Sequence, residues 1–256
     1  MPPASRRQFS ALAALLSLPY SLYAWSAFLL LGLAMLPLVI VLPSAAGRRR
    51  LVRAVARLAL RVMGIRLQVS GLATLPRPCV VVANHSSYLD GVVMMAALPP
   101  RFSFVIKREM ASIPLAGLLL RRIGSVFVDR GDQARSASAA RQLLRSARDG
   151  EALAFFPEGT FGEQVGLLRF HPGAFMIAAR AAIPLVPVVI RGARHCLPPA
   201  SILLHPGVIT IEILAPLTMA AQDGDAAGTL RRQARTAMLE RLGEPDLDTD
   251  LSTQRS

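Results

Sequence analysis

The chain has 256 residues, 53% of them hydrophobic, with a formal net charge of +13 and only three Tyr and one Trp. That length suits one α/β domain plus a short extra segment, and the apolar excess must lie partly outside an ordinary core. The charge favours an anionic partner. No basic run is interleaved with stacking aromatics, which argues against nucleic acid and for an anionic membrane or an acidic substrate.

No charged residue occurs from Gln8 to Gly47. As one helix that stretch would be about 60 Å long, roughly twice the bilayer core. Pro19, Pro37 and Pro43 interrupt it, so two elements are expected: an interfacial helix over 9–18 and a span over 22–42, or a hairpin that dips in and returns. Arg6 and Arg7 before it and Arg48, Arg49 and Arg50 after it suit a hairpin with both ends on the cytoplasmic side. Ser5 to Phe9 resembles a twin-arginine export motif, but the apolar stretch outruns a signal core of roughly 15 residues and no A-x-A site closes it. Residues 1–47 are therefore read as a membrane anchor on the cytoplasmic face of the inner membrane.

Residues 48–66 have helical periodicity, with Arg50, Arg53, Arg57 and Arg61 on one face and Leu51, Val55, Leu58 and Val62 on another. A basic amphipathic helix next to an anchor is expected to lie on anionic lipid, each Arg adding about 1 kcal/mol. From residue 67 to 242 strands and helices alternate. Strands are predicted at 65–70, 79–83, 102–106, 125–129, 152–156, 185–190 and 208–214, and helices at 92–98, 112–122, 133–148, 173–182 and 226–242. Continuously apolar runs such as Cys79–Ala83 fit strands covered on both faces. The fold class is α/β, a mixed, largely parallel sheet flanked by helices and preceded by the apolar helix or hairpin. The polar tail 243–256 is expected to fray. Cys79 and Cys196 have no metal-ligand spacing and read as buried free thiols, so no metal is expected.

Polar residues begin where four of the strands end: Asn84-His85, Lys107, Asp129-Arg130 and Glu158-Gly159-Thr160. The carboxyl ends of parallel strands share one edge, where ligands bind. All but one of the 29 basic residues are Arg, so the single lysine, Lys107, stands out. His85 and Asp90 are five residues apart and would lie on different faces of a helix. They can meet only if Ser86 and Ser87 turn the chain. An Asp bonded to one imidazole nitrogen would leave the other free as a general base.

These residues resemble the glycerolipid acyltransferase family. Asn84, His85 and Asp90 match its N-H-x4-D block. Lys107, Glu109, Pro114 and Gly117, followed by Gly124, Phe127, Asp129 and Arg130, match its second. Phe156 to Thr160 match F-P-E-G-T, and Ile183 to Val188, with Pro184 and Pro187, match the last. The four blocks span 79–192 in family order. The resemblance implies that His85, oriented by Asp90, deprotonates the hydroxyl of a lysophospholipid, with acyl-CoA or acyl-carrier protein as acyl donor and no cofactor. It implies a head-group site at Lys107, Arg130, Glu158, Gly159 and Thr160, with Asn84, Pro157, Pro184 and Pro187 in support. It leaves the oligomeric state open.

Two positions depart from the pattern. Phe161 follows E-G-T where family members commonly carry Arg, and His171 stands where Lys is frequent. Arg169 is a candidate substitute. The acceptor expected is 1-acyl-glycerol-3-phosphate, with lyso-ornithine lipid or another lysophospholipid as the alternative. Two further readings are a lipid hydrolase using Ser86 or Ser87, which lacks a G-x-S-x-G elbow, and a silent membrane adaptor, which gives no reason for the His85–Asp90 pair.

Overall fold

The computed structural model describes the backbone of residues 4–129, 133–218 and 225–248, and the side chains of 17–129, 137–218 and 225–248. Seven strands form one sheet: β1 (Ile65–Ser70), β2 (Val80–Ala83), β3 (Phe102–Lys107), β4 (Val126–Val128), β5 (Ala152–Phe155), β6 (Leu185–Arg191) and β7 (Gly207–Ile213). Their spatial order is β1-β7-β6-β2-β5-β3-β4. Strands β6, β2, β5, β3 and β4 run parallel, while β7 pairs antiparallel with β6 and carries β1 alongside it. The carboxyl ends of β2, β3, β4 and β5 thus share one edge, as the positions of the polar residues require.

The helices are α1 (Ala4–Val41), α2 (Ala45–Val62), α3 (Leu89–Ala97), α4 (Ala116–Arg122), α5 (Gln133–Arg148), α6 (Gly173–Ala181), α7 (Ala193–Cys196) and α8 (Ala226–Leu242). Strand β2 is buried throughout, and its alternating side chains feed two cores. Val81 and Ala83 join α1, α2 and α3, whereas Val80 and Val82 join α5, α6 and α8. That double cover explains its unbroken apolar run. Pro187 fits within β6 because the β7 pairing ends at Val188↔Ile213, so no ladder bond needs its missing N–H. The second block resolves into a 3₁₀ turn, Arg108–Ser112, and then α4. Gly117 is required there, because a Cβ would lie 2.2 Å from the Ala111 carbonyl oxygen.

The N-terminal segment differs from the expectation of two elements. Helix α1 runs unbroken through Pro19 and Pro37. Both prolines face away from the domain, so the backbone bonds they forfeit lie on the outer side. The inner side is hydrogen-bonded between Tyr20 and Trp25 and packed by apolar side chains beyond. Tyr20 donates to the Met63 carbonyl, Tyr23 to that of Val62 (3.1 Å) and Trp25 to that of Ile202 (2.8 Å). Ser21 Oγ accepts from Leu204 N at 2.9 Å. Ala24, Met35 and Val39 are buried. Tertiary packing therefore overrides the proline signal. The outer side presents Leu18, Leu22, Leu29, Leu30, Leu33 and Leu38 to the exterior. Ser17–Val41 is the one helix among the described residues long and apolar enough to cross a membrane.

Helix α2 also departs from its expected use. Arg49 donates to the Ile123 carbonyl and to Ser103 Oγ, both at 2.7 Å, and Arg48 donates to the Arg122 carbonyl at 2.5 Å. Arg53 and Arg57 donate to the Ala97 and Ala96 carbonyls at 3.1 and 2.8 Å. These carbonyls end α4 and α3, where a helix leaves acceptors unpaired and carries partial negative charge. Of the row read as lipid-facing, Arg53 and Arg57 are therefore caps, while Arg50 and Arg61 remain exposed and cap no helix among the described residues. The described start of the tail is docked rather than frayed. Leu247 is buried, and its N–H donates to the Leu167 carbonyl at 3.1 Å.

Candidate active site

At the end of β2, Asn84 turns its amide onto β6, donating to the Ile190 carbonyl (2.9 Å) and accepting from Ile190 N (2.7 Å). This two-way tie fixes where the next four residues leave the sheet. They turn at Ser86 and Ser87, and α3 begins with Asp90 in its first turn. Asp90 Oδ2 accepts from Ser86 N at 2.6 Å and Ser87 N at 2.8 Å, and lies 2.8 Å from His85 Nδ1. A fully buried carboxylate with three donors on one oxygen is an acceptor, so Nδ1 carries the imidazole proton and Nε2 keeps its lone pair. Asp90 Oδ1 is buried without a partner among the described residues. The turn predicted for Ser86-Ser87 thus forms, and the carboxylate itself closes it.

The imidazole is held between aromatic rings. Phe156 stacks on it at 4.3 Å between centroids, and Phe161 leans over it at 4.4 Å. Exposed Tyr88 meets Phe161 edge-on at 4.8 Å.

Glu158 departs from its expected role at the head group. It is 3% exposed, and its two oxygens accept from His85 N and Leu168 N, each at 2.7 Å. It is therefore an internal brace. Burial pushes its carboxyl up to about 8, against the opposing pull of those two N–H groups and of Arg235. Arg235 on α8 holds the same segment from behind, donating to the Leu168 and Leu167 carbonyls at 2.7 and 2.8 Å, pairing with Asp246 and lying 5.0 Å over Phe170. A line of bonds thus runs from Asp246 through Arg235, Leu168 and Glu158 to the backbone of His85.

The other predicted residues divide in two. Pro157 is buried and its carbonyl receives His171 N (2.9 Å), while the Pro184 carbonyl receives Val80 N (2.9 Å), so both support the frame. Lys107, exposed and paired with Glu109 at 3.0 Å, lies on the wall of the cavity with Gly159 and Thr160. Gly159 has φ +69°, which suits glycine at that turn. Arg169 stays outside the cavity lining, 3.9 Å from Asp248, and Arg130 falls outside the described residues. Ser87 is fully buried and donates to the Leu197 carbonyl at 2.8 Å, and Ser86 is buried too, so neither offers a nucleophile beside Nε2. Cys79 and Cys196 are free and buried, and burial raises the Cys79 thiol to about 11. No group of three metal-binding side chains occurs among the described residues.

His85 opens on a cavity of about 1480 Å³. Its walls come from α1 to α6 and the carboxyl ends of β3, β4 and β5. Sequence reasoning did not find this cavity, Arg235 or the contact of Phe161 with His85, because each depends on elements distant in the chain.

This imidazole, oriented by a carboxylate at the sheet edge and opening on a large apolar cavity, sits in a chain that belongs to the Acyltransferase family, whose pattern residues 66–191 match. It is 30% identical over 219 residues to the human 1-acyl-sn-glycerol-3-phosphate acyltransferase alpha, an alignment covering 82% of this chain and 77% of that protein. The yeast (Saccharomyces cerevisiae) 1-acyl-sn-glycerol-3-phosphate acyltransferase is 27% identical over 72% of this chain, which spans 62% of the yeast protein. The chain spans 51% of a chloroplastic Brassica napus relative of the same name. In fold it is similar to the crystal structure of the 1-acyl-sn-glycerophosphate acyltransferase PlsC from Thermotoga maritima (TM-score 0.74, 23% identity), covering 90% of this chain and 97% of that one.

Proposed function

We propose that the protein is a membrane-bound O-acyltransferase, moving a fatty acyl group from acyl-CoA or acyl-carrier protein to the free hydroxyl of a lysophospholipid. The acceptor is 1-acyl-glycerol-3-phosphate, and the product phosphatidic acid. The observation that carries this reading is the His85–Asp90 pair, with Nε2 free, at the mouth of an apolar cavity large enough for lipid chains. Nε2 takes the hydroxyl proton as the oxygen attacks the thioester carbonyl. The tetrahedral centre then collapses, the C–S bond breaks, and the departing sulfur takes the proton from the imidazolium. The chemistry needs no metal or cofactor. General base catalysis of this kind is worth roughly 10²–10⁴ in rate. The buried serines support transfer over hydrolysis, and the exposed apolar row of α1 supports attachment to a membrane, assigned in this proposal to the cytoplasmic face of the inner membrane with Arg50 and Arg61 near anionic lipid.

Phe161 favours a second acceptor. An aromatic ring, not a cation, covers His85, and this suits a lyso-ornithine lipid or a lysophospholipid whose charge lies away from the reacting hydroxyl. The test is acyl transfer by detergent-solubilised protein from labelled palmitoyl thioesters, with lysophosphatidic acid and lyso-ornithine lipid offered in parallel. Product that depends on acceptor and falls at least about 100-fold in His85→Ala, with the fold retained, is expected. Thioester loss without acceptor would overturn the reading.

A further inference from the structure

The cavity at His85 is divided by charge. Its lining crosses the sheet edge and belongs to two different cores. On one side, Phe104 and Ile106 of β3 face α1, α2 and α4, and the wall is completed by apolar residues such as Leu31, Val55 and Met95. No charged residue lines that side. On the other side, Val105 of β3, Val128 of β4 and Phe155 of β5 face α5 and α6, and there the lining includes Lys107, Arg141 and Arg180. Asp129 is the single acid in the whole lining, and Arg108 lies 3.9 Å from it.

Arg141 and Arg180 are exposed, and their guanidinium groups make no hydrogen bond or ion pair among the described residues, unlike Arg49 or Arg235. Their helices fix how far they lie from the chemistry. Helix α6 starts beside the active site, since His171 N bonds the carbonyl of Pro157, next to the ring stacked on His85. Arg180 is seven residues beyond Gly173, about 10 Å along the helix axis. Arg141 is eight residues into α5, about 12 Å from its start just after β4. The Arg148 side chain bonds the Arg180 carbonyl at 3.3 Å, so the two helices run side by side there.

We infer that the groove between α5 and α6 is a subsite for the phosphate of the acyl donor's carrier arm, bound by Arg141 and Arg180. The inference rests on the acyltransferase reading and adds the donor's direction of approach. An acceptor phosphate is joined to the reacting hydroxyl by a few bonds and must sit at the sheet edge, near Lys107 and Gly159. An anion met about 10 Å down α6 belongs to a ligand with a long spacer. Thioester carriers have that form: a long amide-containing arm between sulfur and phosphate, whether in coenzyme A or on a carrier protein. With the carrier in the cationic half, the fatty chains go to the uncharged half between α1, α2 and α3.

The test is Arg141→Glu/Arg180→Glu, with Arg141→Ala/Arg180→Ala as the milder variant. Three palmitoyl donors are compared: coenzyme A, a phosphopantetheinyl carrier protein, and N-acetylcysteamine, which has no phosphate. The expected result is at least a tenfold fall in the ratio of kcat/KM for palmitoyl-CoA to that for the N-acetylcysteamine thioester, while the acceptor KM moves less than twofold. A parallel fall for the carrier-protein donor locates the arm's own phosphate in the groove, and a fall for coenzyme A alone locates the nucleotide phosphates there. An unchanged ratio, or a change in acceptor KM instead, overturns the inference. Calorimetric titration of free coenzyme A into wild type and variants separates this failure from failure of the acyltransferase reading. Binding that the charge reversal abolishes supports the subsite even if no transfer occurs, and binding that survives it removes the subsite.

Discussion

The His85–Asp90 turn and the rim of the cavity are built by opposite rules. At the turn, nearly every polar group is matched: Asn84 to Ile190, Ser86 N and Ser87 N to Asp90, His85 N to Glu158, and Ser87 Oγ to Leu197. At the rim, Tyr88, Lys107 and Thr160 are exposed, and Lys107 has a solvent-facing glutamate as partner. A proton-transfer group must be held closely, because its rate falls steeply with misplacement. Groups that meet varied lipids can move. On the proposed function, the proton-transfer pair is placed by the backbone, and recognition is left to side chains on the surface.

Substitutions in the two regions should differ by orders of magnitude. The largest effect is expected from Asp90→Asn. It removes the charge that sets the His85 tautomer, and kcat should fall by about 10²–10⁴ with acceptor KM little changed. Steady-state kinetics would break the contrast if the loss were under tenfold. Glu158→Gln comes next. It leaves one of the two backbone N–H groups facing an amide NH₂, for about 1–3 kcal/mol of stability, read from urea unfolding.

Glu158 also gives the pH dependence a sign. Its carboxyl titrates at about 8 when folded, against an ordinary 4.5, so the folded protein holds the extra proton between those values. Its contribution to stability is fully present below about pH 4.5 and is lost as pH rises through 8. The wild type should lose stability across that window, and Glu158→Gln should flatten the slope. A Glu158→Gln slope as steep as that of the wild type would sink the assignment. At the rim, Tyr88→Ala should change kcat/KM by less than about tenfold, because it removes one exposed edge contact.

The same division explains what the sequence disclosed. Strand and helix positions were legible because burial on both faces leaves unbroken apolar runs, and Asn84, His85 and Asp90 stood out through the family resemblance, since their spacing alone puts His85 and Asp90 on different helix faces. Glu158 was legible as important but not as a brace, since its partners His85 N and Leu168 N are backbone groups that leave no mark in the side-chain pattern. The α2 arginines read as a lipid-facing stripe because periodicity shows which residues share a face, and not what that face touches. Helix α1 misled through Pro19 and Pro37, whose cost is local, whereas the packing that offsets it comes from residues 62–63 and 202–204.

The attachment of α1 has a practical consequence. Phe28, Leu31 and Met35 lie on the same helix as the outward leucines, and they wall the cavity that His85 opens on. Trimming the N-terminus to obtain a water-soluble enzyme would therefore unroof the cavity at His85 and strand the Met63, Ile202 and Leu204 backbone groups that Tyr20, Trp25 and Ser21 now satisfy. Solubility is better sought by recolouring the outer face, replacing Leu22, Leu30 and Leu38, which are exposed and lie off the cavity wall, with polar residues while the inner face stays intact.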